Sequence, residues 1–231
     1  MIKSSSFIAT VGLAAALFLP ALLPAHAQDV KAGDPVAGEK RAQQCIGCHG
    51  IPGYQASFPE VHKVPMISGQ NAKYIQSALN AYKKGERKHP TMHGVATSLS
   101  EQDMADLGAF YEAHGADGTK APDVQTVEPS PLVAELLKKG NCTACHGANF
   151  AKPIDPSYPK LAGQHADYLY VALKEYQTDK NPQVGRANAI MGAQARNFNH
   201  TELKALSQYL GSLQGELKTV PQSRFRWFSS K

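Results

Sequence analysis

Cys45-Ile-Gly-Cys48-His49-Gly50 and Cys142-Thr-Ala-Cys145-His146-Gly147 decide how this chain is read. Each stretch is a C-x-x-C pair with a histidine directly behind it. That combination implies covalent attachment of a c-type haem. The two thiols form thioethers with the porphyrin vinyl groups, and the adjacent imidazole reaches the iron. The spacing brings three bonds to one side of a single macrocycle. All four cysteines of the chain fall in these two clusters, so no thiol is left for a disulfide.

Two other chemistries use C-x-x-C. A structural zinc site commonly sets its two pairs roughly 15–20 residues apart. Here the pairs are 97 positions apart and each carries its own histidine. A thioredoxin-like redox pair expects a βαβ context and explains neither the histidine nor the duplication.

The duplication extends past the cysteines. Gly69-Gln-Asn-Ala-Lys-Tyr-Ile-Gln-Ser-Ala-Leu-Asn-Ala-Tyr82 aligns with Gly163-Gln-His-Ala-Asp-Tyr-Leu-Tyr-Val-Ala-Leu-Lys-Glu-Tyr176, with seven of fourteen positions identical. A solenoid needs at least three short repeats, so two copies of long period imply two complete domains. Residues 28–115 form the first expected domain and 130–231 the second. The intervening 116–129, with Gly118, Pro122 and Pro129, reads as a linker.

Residues 1–27 read as an export signal. Lys3 precedes an apolar run from Phe7 to Leu23, and Ala25-His26-Ala27 closes it as a small-x-small cleavage site. The run is short for the roughly 20 residues that span a bilayer, and no later stretch reaches spanning length, so the mature chain is expected to have no transmembrane segment. With 42% apolar residues and a net charge of only +5, the composition excludes a disordered tail and disfavours a nucleic-acid binder. The charge is uneven. Residues 28–115 carry nine of each sign, whereas 130–231 carry 13 basic and seven acidic side chains.

Helical signals dominate both halves. Asp34-Pro35 and Ser130-Pro131 read as N-cap and first helical residue. Tyr74, Ala78, Leu79 and Tyr82 recur at helical spacing, as do Tyr168, Ala172, Leu173 and Tyr176. Ser100-x-x-Asp103 and Asn199-x-x-Glu202 resemble capping boxes, with Leu99 and Phe198 set to staple onto Met104 and Leu203. Strand signals are almost absent. The expected class is all-α, with each small core completed by its haem.

Function turns on the second axial ligand of each iron. Met191 is the only methionine of the second half, in a segment, Asn188 to Ala193, that reads as irregular; His165 and His200 lie at or near predicted helix starts. The first half offers Met66, Met92 and Met104. The repeat sets Met66 opposite Lys160 and Met104 opposite Leu203, whereas Met92 matches Met191. The site reading is therefore Cys45, Cys48, Cys142 and Cys145 for attachment and His49, Met92, His146 and Met191 for iron, with His89 and His93 the alternatives to Met92.

The leader, the two C-x-x-C-H modules, the Pro-x-x-x-Gly-Gln segments at Pro65–Gln70 and Pro159–Gln164, and a methionine before each last helix together resemble the diheme cytochrome c4 family. The resemblance covers essentially the whole mature chain. It implies two cytochrome c folds packed about a pseudo-twofold axis, two covalent haem c groups, and a periplasmic electron carrier that is not an enzyme. Its partners would be redox proteins, such as a terminal oxidase or another membrane-bound respiratory complex. The Arg224-Phe-Arg-Trp-Phe228 end departs from the family pattern. Two other functions share these features: the haem subunit of a dehydrogenase complex, such as a flavocytochrome sulfide dehydrogenase whose flavin sits on another chain, and a diheme peroxidase, which needs one open iron and acid–base groups beside it.

Overall fold

The computed structural model describes residues 30–125 and 127–221. The expected leader, 1–27, and the aromatic-basic end, 224–228, lie outside them. Helices α1 (Pro35–Arg41), α2 (Gln43–His49), α3 (Ala72–Lys83), α4 (Pro90–Thr97) and α5 (Glu101–Ala113) make the first half. Helices α6 (Pro131–Lys139), α7 (Thr143–His146), α8 (Ala166–Gln177), α9 (Ala189–Ala195) and α10 (His200–Ser212) repeat that order in the second. The described strands are two-residue pieces: β1 (Gln55–Ala56) pairs with β2 (His62–Lys63), and β3 (Arg87–Lys88) with β4 (Gly185–Arg186).

Local sequence sets the helix starts. Asp34 accepts from the Val36 N–H at 2.8 Å and Ser130 from the Val133 N–H at 3.3 Å, each just before a proline whose missing N–H costs the first turn nothing. The capping boxes at Ser100/Asp103 and Asn199/Glu202 are both reciprocal. Leu99 packs in one apolar cluster with Met104, and Phe198 in another with Leu203, so the stapling pairs meet as their spacing requires. Met104 is fully buried and is a core residue.

The two halves join their first and last helices differently. In the first, a Cβ on Gly38 would lie 2.1 Å from the Asp106 carbonyl oxygen, so α1 meets α5 backbone to backbone. In the second, Val133 and Leu136 of α6 fill that space against Phe198, Leu203 and Leu206.

The expected linker, 116–129, packs on the second half. Ala121 is buried with Phe150, Leu210 and Leu213. Asn149 donates to the Pro122 carbonyl at 2.9 Å, and Gln125 donates to the Asn149 carbonyl. Turn residues and mixed charge concealed a single well-placed alanine and a set of backbone acceptors.

The halves meet about a pseudo-twofold axis that passes between β3 and β4, where Arg87 is register partner to Arg186. Gln70 and Gln164 hold the interface in the same way from opposite sides. Gln70 donates to the Lys160 carbonyl at 3.0 Å and accepts from the Lys160 N–H at 2.9 Å. Gln164 donates to the Met66 carbonyl at 2.9 Å and accepts from the Met66 N–H at 3.0 Å. The repeat is therefore cross-connected through aligned positions, Met66 and Lys160. Only their backbones take part in these bonds, which is why their side chains are free to differ.

The glycine before each glutamine supplies the turn. Gly69 has φ +82° and Gly163 φ +76°, a left-handed conformation that favours glycine. Their N–H groups donate to the carbonyls of Tyr111 and Leu210, equivalent residues of the two last helices, at 2.8 and 3.0 Å.

Candidate haem sites

The first C-x-x-C-H segment lies within α2, and the second spans Cys142 and α7. Helical backbone puts the second thiol and the histidine close behind the first. All four sulfurs are half-buried and none is bridged to another. Burial pushes the Cys45 thiol up to about 11, with the Tyr111 hydroxyl partly offsetting it, and burial also raises Cys142. Among the described residues no three His, Cys, Asp or Glu side chains gather as a metal cluster, the arrangement a structural zinc site requires.

The two histidines sit in matching hydrogen-bond settings. His49 Nδ1 meets the Pro65 carbonyl oxygen at 2.8 Å, and His146 Nδ1 meets that of Pro159 at 3.2 Å. A carbonyl only accepts, so Nδ1 carries the proton and Nε2 keeps its lone pair free for a metal. Burial holds both imidazoles below the ordinary histidine range; the proline carbonyls oppose this only in part. Each is thus a neutral imidazole with a fixed tautomer, as haem ligation requires. Pro65 and Pro159 open the repeated Pro-x-x-x-Gly-Gln segments, which sequence reasoning identified without assigning their carbonyls a task.

Met92 and Met191 are each the third residue of a short helix, α4 and α9. The segment around Met191 is therefore helical, not irregular. Asn188 caps it by accepting the Met191 N–H at 2.9 Å, a bond that single-residue propensities of Ala189, Ile190 and Gly192 do not reveal. His89 takes the same place in the first half, its Nδ1 accepting the Met92 N–H at 3.4 Å. Burial pushes His89 below the ordinary histidine range, an effect that Glu175 and the Phe58 backbone oppose. It lies close enough to His49 for charge on one to lower the other. His93 is exposed, with Nδ1 2.8 Å from the Tyr82 carbonyl oxygen. His165 stands just before α8 and His200 opens α10.

A buried polar cluster on the axis went unnoticed in the sequence. Arg87 bonds Tyr168 Oη at 2.7 Å and Tyr74 Oη at 3.3 Å, and its guanidinium stacks on the Tyr82 ring, 4.6 Å from the centroid. Arg186 pairs with Glu175 at 2.6 Å, both side chains being 7% exposed. The two arginines are 99 positions apart, as are the two methionines, and that shared offset was the available signal.

A helical frame repeated about a twofold axis, with each copy presenting a C-x-x-C pair and a neutral, oriented histidine, defines a c-type cytochrome with two haems. Comparison with known proteins agrees. The cytochrome c family model matches residues 35–112 and again 130–214. Cytochrome c4 of Azotobacter vinelandii is 30% identical over 200 residues, covering 79% of this chain and 90% of that protein. A thiosulfate dehydrogenase electron acceptor of Stutzerimonas stutzeri is 30% identical over 185 residues, covering 74% and 80% respectively. The crystal structure of reduced cytochrome c4 from Pseudomonas stutzeri superposes with a TM-score of 0.58 at 25% identity, covering 79% of this chain and 100% of that one. The chain belongs to the cytochrome c4 family. It carries two covalently bound haem c groups and serves electron transfer.

Proposed function

We propose that this protein is a periplasmic carrier that passes single electrons between redox proteins and turns over no substrate. Cys45 and Cys48 attach one haem and Cys142 and Cys145 the other. His49 with Met92 holds the first iron; His146 with Met191 holds the second. The doubled half-site carries this reading. In both halves the histidine commits Nδ1 to a proline carbonyl, and in both a methionine stands third in a helix whose capping side chain takes its N–H.

When bound, each haem supplies a one-electron ferric–ferrous couple whose potential methionine ligation raises. The chain's own task is to keep that couple rigid. The cysteines fix the macrocycle, Pro65 and Pro159 fix the imidazole tautomer, and His89 and Asn188 fix the methionine backbones. His89 is the side chain best placed to replace Met92, and its Nδ1 is already taken by the Met92 N–H, which favours Met92. Matching halves also speak against a peroxidase, in which one site must specialise by opening its iron.

The leader at residues 1–27 supports export, and no helix among the described residues is long and apolar enough to cross a membrane. Electrons would leave to a membrane-bound respiratory acceptor such as a terminal oxidase. A second reading, electron acceptor of a partner dehydrogenase, is favoured by the relative that is named for accepting electrons from thiosulfate dehydrogenase. It differs in the donor only.

The test is ligation. The ferric protein should show the weak far-red sulfur-to-iron band, and ferrous protein should take up carbon monoxide slowly. Met92→Ala and Met191→Ala should each remove about half of that band and lower one potential, with both haems still attached. An unchanged spectrum in Met92→Ala would transfer the ligand to His89 or His93, and rapid carbon monoxide uptake by the native protein would favour the peroxidase.

A further inference from the structure

The first half buries a hydroxyl that the second lacks. Tyr111 of α5 is 3% exposed, and among the described residues its hydroxyl oxygen, itself buried, has no hydrogen-bond partner. Tyr111 lies in the apolar cluster with Ala42, Ile46 and Leu107, and Cys45 packs against that cluster. Cys45 is the side chain on which the hydroxyl acts. The equivalent residue of the second half is Leu210, since Gly69 and Gly163 donate to these two carbonyls, and Cys142 packs against the cluster that holds Leu210. One half thus sets a buried phenol by its first cysteine where the other has only a leucine.

Burying a hydroxyl without a partner is costly, so its place in the core calls for an acceptor. The neighbouring His114 does not supply one: its ring meets the Tyr111 ring edge-on at 5.8 Å, and its Nδ1 is 2.9 Å from the Ser68 hydroxyl. The Cys45 sulfur changes character when the haem is attached. Its S–H adds across a vinyl double bond, the sulfur bonding to one carbon and the hydrogen passing to the other. The thioether sulfur that results has no proton to give and can only accept. Tyr111 can donate, and burial pushes its phenol above the ordinary value, so it keeps the proton such a bond requires.

We propose that the Tyr111 hydroxyl donates a hydrogen bond to the Cys45 thioether sulfur of the first-half haem, and that this bond, absent at Leu210, tunes the first haem apart from the second. Tyr111 is a positioning residue that acts through the sulfur. It raises the first haem's potential, because the positive end of the O–H dipole, turned to the edge of the macrocycle, disfavours the more positive ferric state. The inference rests on the reading that Cys45 attaches the first haem. A buried water offers the hydroxyl the same chemistry as the sulfur, so the test must separate the two.

The test is potentiometry of the diheme protein and of Tyr111→Phe, which keeps the ring and removes only the hydroxyl. The double variant Cys45→Ser with Cys48→Ser retains the second haem alone and so assigns the two native potentials to their halves. Tyr111→Phe should lower the first potential by roughly two- to fourfold in the oxidation equilibrium, about 18–36 mV for a one-electron couple, and leave the second in place. The far-red band should persist, and the urea midpoint of unfolding should fall. Tyr111→Leu, which copies the second half, should lower the same potential, and it supplies the reading if Tyr111→Phe does not accumulate. In Cys45→Ala, where Cys48 alone holds the haem, adding Tyr111→Phe should no longer move the potential. Two unshifted potentials, two equal shifts, or a Tyr111→Phe protein that unfolds at higher urea than the native one would overturn the inference. A shift that persists without the Cys45 sulfur would assign the hydroxyl to a buried water and overturn the thioether bond. Failure of the attachment reading is distinguishable, because the double cysteine variant would then keep both haem masses.

Discussion

The first and second halves use equivalent residues to orient their histidines and to join across the axis, and different ones where charge is set. His49 and His146 lean on Pro65 and Pro159, and Gln70 and Gln164 exchange the same pair of bonds across the axis. At the axis the symmetry ends: Glu175 neutralises Arg186, whereas Ala81 stands at the equivalent place and Arg87 bonds Tyr74 and Tyr168 instead. A duplicated fold can thus keep two sites of one shape while a single side chain makes them electrically different.

The comparison can be tested at its coarsest by removing one site. Replacing Cys45 and Cys48 together with serine should reduce the haem content from two per chain to one, read as the loss of one haem mass from the denatured protein. Retention of both masses would mean that the first C-x-x-C pair does not carry a haem. Glu175→Gln strikes the asymmetry itself. It leaves Arg186 buried without its carboxylate and should cost about 3–5 kcal/mol in denaturant unfolding, whereas Ala81→Gln, at the equivalent place, should cost far less.

The symmetric part should respond symmetrically. Gln70→Ala and Gln164→Ala each remove two cross-axis hydrogen bonds and strand a backbone N–H and carbonyl. Each should destabilise the protein by roughly 2–4 kcal/mol, and by similar amounts. Clearly unequal costs would show that the interface is less twofold than its geometry.

The smallest effect expected is at the caps. Ser100→Ala and Asn199→Ala should each cost about 1 kcal/mol. The first cap also carries a pH dependence. Burial would raise the Asp103 carboxyl, but bonds from the Ser100 backbone and hydroxyl, with the charges of Arg41 and Lys83, hold it below the usual range. A carboxyl depressed in the folded state contributes fully above its unfolded value, near pH 4, and loses that contribution as pH falls through the folded one. The cost of Ser100→Ala should therefore shrink below about pH 4, and a pH-independent cost would remove Asp103 from the cap.

How much the chain declares about itself depends on the range of the interaction concerned. Thioether chemistry needs two thiols and a histidine within five residues, and a helix cap needs its partner three residues on. The haem number, the all-α class, the caps and the staples were accordingly legible from the sequence, and the repeat marked Met104 as core. Where the outcome depended on groups far apart in the chain, the sequence was silent or misleading. The turn residues of 116–129 suggested a linker, and nothing local shows that its Ala121 meets Phe150 and Leu210. Gln70 was visible as half of a repeated pair, yet its partner is Lys160, 90 residues away. Arg87 and Arg186 are 99 residues apart, and only the pairing of β3 with β4 brings them together. Burial decides whether a charge needs a partner, and burial is a property of the packed molecule. The sequence by itself thus determined that two haems attach at the two C-x-x-C-H clusters, and only the tertiary structure decided which of the two buried arginines meets a carboxylate.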